Sequence, residues 1–217
     1  MKVKLSFLFL WFLPIFLFGQ QDSSRIYELI NRYKHKDSIL AKKLSQFAAS
    51  GIEKTLPLGN ITPDSLINAA KEYLGVKHKM GGTDKNGIDC SGLLLAAFRD
   101  VGVSVPHGSE AMAHYGKIII DKDSLRRGDL VFFIKTYNTP KLITHSGIYL
   151  GNGKFIHTSY SRGVVISDLS ANYYRNHFIF GTRVFTHKKK STDKPVHKKV
   201  VKSKKINIRQ VKENLKK

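Results

Sequence analysis

The sequence predicts an α+β fold with an antiparallel sheet, on three observations. Helix-type spacing and helix caps occupy the first half of the chain, up to Gly102. Within that half, Leu93 to Val101 is apolar nearly all round, and a helix with no polar face is a buried one. From Arg126 onward the pattern changes to short, consecutive β-type runs punctuated by glycine, asparagine and proline. Helices first and strands afterwards indicate α+β.

Four segments are expected. Residues 1–19 read as a secretory signal peptide. Met1-Lys2-Val3-Lys4 is the positive start, Leu5 to Phe18 is an almost unbroken apolar run, and Gly19 is a small residue at the cleavage position. The alternative, an uncleaved anchor, needs ~20 apolar residues to span a bilayer, and this run is shorter. No cysteine lies near the junction, which excludes lipid attachment to an N-terminal cysteine. The expected location is the periplasm, the cell envelope or the extracellular space.

Residues 20–60 form a helical lead-in or spacer, with Ile26, Leu29, Ile30, Tyr33, Ile39, Leu40, Leu44 and Phe47 at broadly helical spacing and a loop over Gly51 to Asn60. Residues 61–186 form the domain proper, near the common domain size. Thr62 is its first N-cap, with Pro63 at the first helical position. Leu66, Ile67, Ala70, Tyr73 and Leu74 make one apolar stripe, and Gly75 ends that helix. The expected strands are Asp129 to Ile134, His145 to Leu150, Lys154 to Ser159, Gly163 to Ser167 and Phe178 to Phe185.

Residues 187–217 are a basic tail. The chain carries 37 Lys/Arg against 16 Asp/Glu, and 13 of those cations lie in the tail beside only Asp193 and Glu213. With few apolar residues the tail cannot offset its ordering entropy, so disorder is expected. It suits electrostatic attachment to an anionic wall polymer or membrane surface, the alternative being a solvated tail that aids solubility. Export makes nucleic acid the least expected polyanion, and a monomer is expected.

Cys90 is the only cysteine. In an oxidising compartment a thiol without an intrachain partner is either incidental or kept for its chemistry. It precedes the buried helix in Gly87-Ile88-Asp89-Cys90-Ser91-Gly92. At a helix start, unpaired N–H groups and the dipole favour a thiolate, lower its pKa and can receive an oxyanion. Gly92 would permit close approach of a substrate. A cysteine nucleophile also needs a base and an orienting partner. His145 and His157 flank a hairpin that turns at Gly151-Asn152-Gly153. With a three-residue loop Leu150 faces Lys154, Gly147 faces His157, and the two histidines share one face with Cβ atoms ~7 Å apart. A two-residue Asn152-Gly153 turn would slip the register and separate them.

These residues resemble the NlpC family of cell-wall cysteine peptidases, which have a papain-like fold. The likeness runs from about Thr62 to Phe185. It rests on Gly81-Gly82, Gly87-Ile88-Asp89-Cys90-Ser91-Gly92, Val105-Pro106, Leu125 to Phe133, His145 to Gly151 and Phe155 to Ser159, in that order. The resemblance implies a domain whose nucleophile opens a buried helix packed on the sheet. It implies Cys90 as nucleophile, His145 as general base and His157 as the polar third member, with Asp89 and Ser91 beside the nucleophile in the substrate groove. Helix capping and first-turn hydrogen bonding are the structural roles open to those two, and both kinds of role can hold together. Two positions depart from the family pattern: His78 stands where a tyrosine near the oxyanion site is common, and Ser146 where a small apolar residue is usual, the latter expected to matter little. His107 and His114 fall in the segment expected to border the groove.

The implied reaction is hydrolysis of amide bonds in peptidoglycan stem peptides, typically between D-glutamate, through its γ-carboxyl, and a diamino acid. It needs no metal or cofactor. The basic charge suits carboxylate-rich stem peptides. The alternatives are a non-catalytic wall-binding module and a related amidase or acyltransferase acting on another substrate.

Overall fold

A computed structural model describes residues 23–185, so both the expected signal peptide and the basic tail lie outside the described residues. The lead-in is two helices, α1 (Ser23–Lys34) and α2 (Ser38–Ala49). Asp37 causes the break: its carboxylate accepts the Leu40 N–H at 2.9 Å and caps a fresh helix. Ile26, Leu29, Leu40, Leu44 and Phe47 are buried in the same core as the rest of the fold, so this segment packs on the domain. Phe47 stacks on His114 with ring centroids 4.2 Å apart, and His114 Nδ1 lies 2.6 Å from the Gly51 carbonyl. His114 thus serves packing, and burial lowers its pKa.

Helix α3 (Pro63–Lys71) starts as the sequence predicts, with Thr62 and Ser65 capping each other reciprocally. It ends earlier than Gly75; turns carry the chain from Glu72 to Gly75, whose N–H donates to the Val164 carbonyl at 2.9 Å. Tyr73 remains buried there, its hydroxyl 2.7 Å from Asp100, while Leu74 is exposed. A small hairpin, β1 (Thr83–Asp84) and β2 (Gly87–Ile88), then leads into α4 (Cys90–Asp100), the buried helix. A short helix α5 (Ser109–Ala113) and a 3-10 turn at Lys122–Ser124 were not legible as periodic segments.

The sheet contains six strands in the order β3-β8-β4-β5-β6-β7, every pair antiparallel. They are β3 (Lys117–Ile119), β4 (Leu130–Phe133), β5 (His145–Gly151), β6 (Lys154–Ser159), β7 (Gly163–Asp168) and β8 (Phe178–Arg183), with α6 (Asn172–His177) before β8. The final strand inserts between β3 and β4, which explains why Phe180 and Thr182 are fully buried. Asp129 locks that insertion as a buried carboxylate that receives Arg183 Nε at 3.0 Å and Nη2 at 2.8 Å. Period-2 alternation splits the strands between two layers. Leu130, Phe132, Ile148, Ile156 and Phe180 face the helices, whereas Val131, Phe133, Tyr149 and Phe155 form a smaller cluster with Leu169 on the opposite face. Among the described residues no helix is long and apolar enough to cross a membrane.

Candidate active site

Asp89 sets the geometry at the start of α4. Its Oδ1 accepts the Gly92 N–H at 2.7 Å and the Ser91 hydroxyl at 2.8 Å, and its Oδ2 accepts the Gly81 N–H at 2.7 Å. Both Asp89 and Ser91 are 8% exposed and committed to these internal bonds. Asp89 caps the helix and ties it to the Gly81-Gly82 turn, with Ser91 hydrogen-bonded to it, the structural roles named above. Gly92 has a different role from the one its position suggests. A Cβ there would lie 1.9 Å from the Gly82 carbonyl oxygen, so protein backbone, not substrate, occupies the space that its missing side chain leaves.

Cys90 is partly exposed, and its Sγ lies 3.5 Å from Ser109 Oγ. Ser109 Oγ is in turn 2.8 Å from Ser146 Oγ, and the Ser146 hydroxyl donates to the Cys90 carbonyl at 3.4 Å. Burial raises the thiol pKa above its ordinary value, the Ser109 hydrogen bond lowers it in part, and the neighbouring Asp89 charge raises it further. This direction is opposite to the one expected from the helix start alone, with desolvation as the leading cause. The resting side chain is a thiol. Ser146 is fully buried in this network.

The hairpin holds the two histidines together by a route other than the one predicted. The turn is the two-residue Asn152-Gly153, both at positive φ, closing Gly151 against Lys154. A bulge between Tyr149 and Gly151 then absorbs one residue, so that Tyr149 pairs with Phe155 and Ile148 with Ile156. The register at the far end is therefore that of the three-residue loop. Gly147 lies against His157, where a Cβ would come within 3.1 Å of the histidine Cβ.

His145 Nε2 is 3.0 Å from His157 Nδ1, with the rings edge to face. His157 is 1% exposed, sandwiched on Phe155 at 4.6 Å, and its Nε2 meets Ser167 Oγ at 2.9 Å and Tyr174 Oη at 3.1 Å. Burial pushes His157 down to about 4; burial, then the charges of His157 and His78, push His145 down to about 3. Both rings are neutral near pH 7. The alternate residues of the hairpin, Ser146 and Thr158, point the other way and reach α4, with the Thr158 hydroxyl donating to the Asp89 carbonyl at 3.2 Å. One hairpin thus carries the histidine pair and grips the backbone on which Cys90 sits.

The remaining predicted residues lie around this centre. His78 is half-buried, bridges to Ile88, and packs against the exposed Tyr160 at 5.1 Å. His107 is exposed, with Nε2 3.9 Å from Asp89 Oδ1. Sequence reasoning missed three participants: Ser109, Ser167 and Tyr174. Pairing β7 with β6 could have found Ser167, since it shares a face with His157 one diagonal step away. Ser109 and Tyr174 sit on short helices whose placement no local pattern gives. Among the described residues no group of three or more His, Cys, Asp or Glu is placed to hold a metal ion.

Comparison with known proteins bears on the family and the fold. A model described as the NlpC/P60 family matches residues 75–183, half of the chain. The chain belongs to the NlpC/P60 family. It is 36% identical over 121 residues to a protein of Haemophilus influenzae named "Probable endopeptidase NlpC homolog". It is 36% identical over 122 residues to the Escherichia coli K12 protein named "Murein DD-endopeptidase MepS/Murein LD-carboxypeptidase". These alignments take in 55% and 56% of the chain, and the chain spans 62% of the length of each relative. A solved NlpC/P60 family structure from Bacillus cereus superposes with a TM-score of 0.53 at 29% identity, over 59% of this chain and 42% of that one. The family's fold is thus the fold of residues 75–183, and the lead-in helices lie outside the match.

Proposed function

We propose that the chain is an exported peptidoglycan endopeptidase that hydrolyses stem peptides at the bond between the γ-carboxyl of D-glutamate and the diamino acid. Cys90 is its nucleophile, His145 its general base and His157 the group that orients the base. The observation that carries this reading is the 3.0 Å contact between His145 Nε2 and His157 Nδ1 on the hairpin that also grips the start of α4. It engages Nε2 of His145 and leaves Nδ1 to serve the thiol. In the base-competent tautomer His145 Nε2–H donates to His157 Nδ1, and His157 Nε2–H donates to Ser167 or Tyr174.

The thiol turns from Ser109 toward His145 as substrate arrives. His145 Nδ1 takes the Cys90 proton while sulfur attacks the amide carbonyl, and the free N–H groups at the start of α4 receive the oxyanion. Collapse releases the amine, which takes the proton back from His145 and leaves a thioester. Water then gives a proton to His145, attacks the thioester and restores the Cys90 thiol. His78, near the histidine pair, adds a donor on the substrate side of the site.

The relatives' names support wall peptides as the substrate class while naming several bonds, including DD, LD and DL. The γ-D-glutamyl choice within that class is our own. Export through residues 1–19 and attachment of residues 187–217 to an anionic wall polymer or membrane surface belong to the same proposal. The test is mass spectrometry of purified disaccharide-peptides incubated with the protein, with Cys90→Ala alongside. A product pair whose masses mark the γ-D-glutamyl bond, formed only by the wild type, is the expected result. Products from another bond correct the bond; equal products from Cys90→Ala overturn the mechanism; no product leaves a wall-binding module.

A further inference from the structure

A cleft of about 600 Å³ lies between the start of α2 and the segment from Ile134 to Thr144. Its walls include Ile39, Lys43, Tyr137, Lys141, Leu142 and Thr144. The α2 wall comes from outside the family-matched residues 75–183. The cleft is tied to both halves of the catalytic centre. Thr144 immediately precedes His145, and the Leu142 N–H donates at 2.9 Å to Glu110, the neighbour in sequence of the Ser109 that holds the thiol. Burial raises the pKa of Tyr137, and the nearby Cys90 and Asp89 add to the rise.

The chemistry of the walls selects the ligand. Asp37 is the one carboxylate in the lining, and Lys135 neutralises it at 2.6 Å, a pair that also clamps the 134–144 segment onto α2. That leaves Lys43 and Lys141, neither with an acidic partner among the described residues. Two ammonium groups without counter-ions face a cleft whose apolar surface includes Ile39, 71% exposed, and Tyr137, 52% exposed. Large apolar side chains left open beside unpaired cations fit a short peptide with small aliphatic side chains and a free carboxylate.

We infer that the cleft between α2 and residues 134–144 is a peptide subsite in which Lys43 and Lys141 receive the terminal carboxylate of a stem peptide. The lead-in helix α2 thereby selects uncapped peptide ends, in extension of the endopeptidase reading on which this rests. Direct binding separates the two claims. The full chain carrying Cys90→Ala is titrated calorimetrically with the tetrapeptide L-Ala-γ-D-Glu-L-Lys-D-Ala and with its C-terminal amide. The expected result is about tenfold tighter binding of the free acid. That preference should vanish when Lys43→Gln and Lys141→Gln are added, with the melting temperature unchanged. Equal affinity for acid and amide, or a preference that survives the double substitution, overturns the subsite. Acid preference in a chain whose wild type hydrolyses no wall peptide supports the subsite and removes the endopeptidase reading; hydrolysis without acid preference does the reverse.

Discussion

The two arms of the candidate site are built to different tolerances. On the histidine arm His145 and His157 meet at 3.0 Å, Ser167 and Tyr174 hold the outer nitrogen at 2.9 and 3.1 Å, and Phe155 stacks beneath. On the cysteine arm the contacts to Sγ and to the Cys90 carbonyl are 3.5 and 3.4 Å, and burial holds the sulfur protonated. The helix that carries the thiol is nonetheless rigidly capped through Asp89. In the proposed mechanism the base is therefore prepared before substrate binds, whereas the nucleophile is held in place but not armed. Under that proposal a neutral imidazole and a neutral thiol avoid a buried charge pair at rest and leave proton transfer to the moment of attack.

Breaking the prepared arm should have the largest effect. His145→Ala is expected to lower kcat by about a thousandfold or more, since the thiol then has neither base nor ion-pair partner. Steady-state hydrolysis of a stem peptide checks this, and a loss below tenfold would mean another group takes the proton. Displacing the other arm through its foundation comes next. In Gly92→Ala the new Cβ would meet the Gly82 carbonyl at 1.9 Å, and α4 cannot move without breaking the Asp89 bonds. A loss of about 3 kcal/mol in stability is expected by denaturant melting. A melt like that of the wild type would show the turn to be more yielding than described.

The buried ring sharpens the comparison through pH. An unfolded histidine takes its proton near 6.5, and folded His157 only at about 4. Between those values the unfolded chain binds more protons, so stability falls as pH is lowered through that window. The slope approaches about 1.4 kcal/mol per pH unit for one such group. His157→Gln, which cannot titrate, should show a shallower decline from pH 6.5 to 4 in parallel melts. Superimposable slopes would place His157 in a charged, solvated setting. The smallest effect is expected from Tyr174→Phe. Ser167 still holds the His157 nitrogen, so kcat should fall only about two- to fivefold with KM unchanged. A hundredfold loss would make the tyrosine, and not the serine, the anchor.

Much of this was legible in the sequence because local rules and tertiary packing agreed. Thr62-Pro63 opened a helix, Asp89 capped another, and four strands fell within a residue or so of their expected bounds, with Phe178–Arg183 stopping two short. The histidine pairing was anticipated although its turn was not, since a two-residue turn plus a bulge produces the same register as a three-residue loop. What escaped was set by distant chain. Ser109 and Tyr174 reach the site from short helices, and the direction of the thiol shift depends on how deeply α4 is covered. Gly92 was misassigned because its neighbour Gly82 is ten residues away in sequence but in contact in space.

The most direct test of an unarmed nucleophile is the pH dependence of Cys90 alkylation by iodoacetamide in the substrate-free protein. Because Cys90 is the only cysteine, the incorporated mass reports that one site. The account predicts a rate that climbs with a midpoint above about 8.5, the ordinary thiol value. A rate already at its plateau near pH 6 would mean that Cys90 rests as a thiolate, and would contradict it.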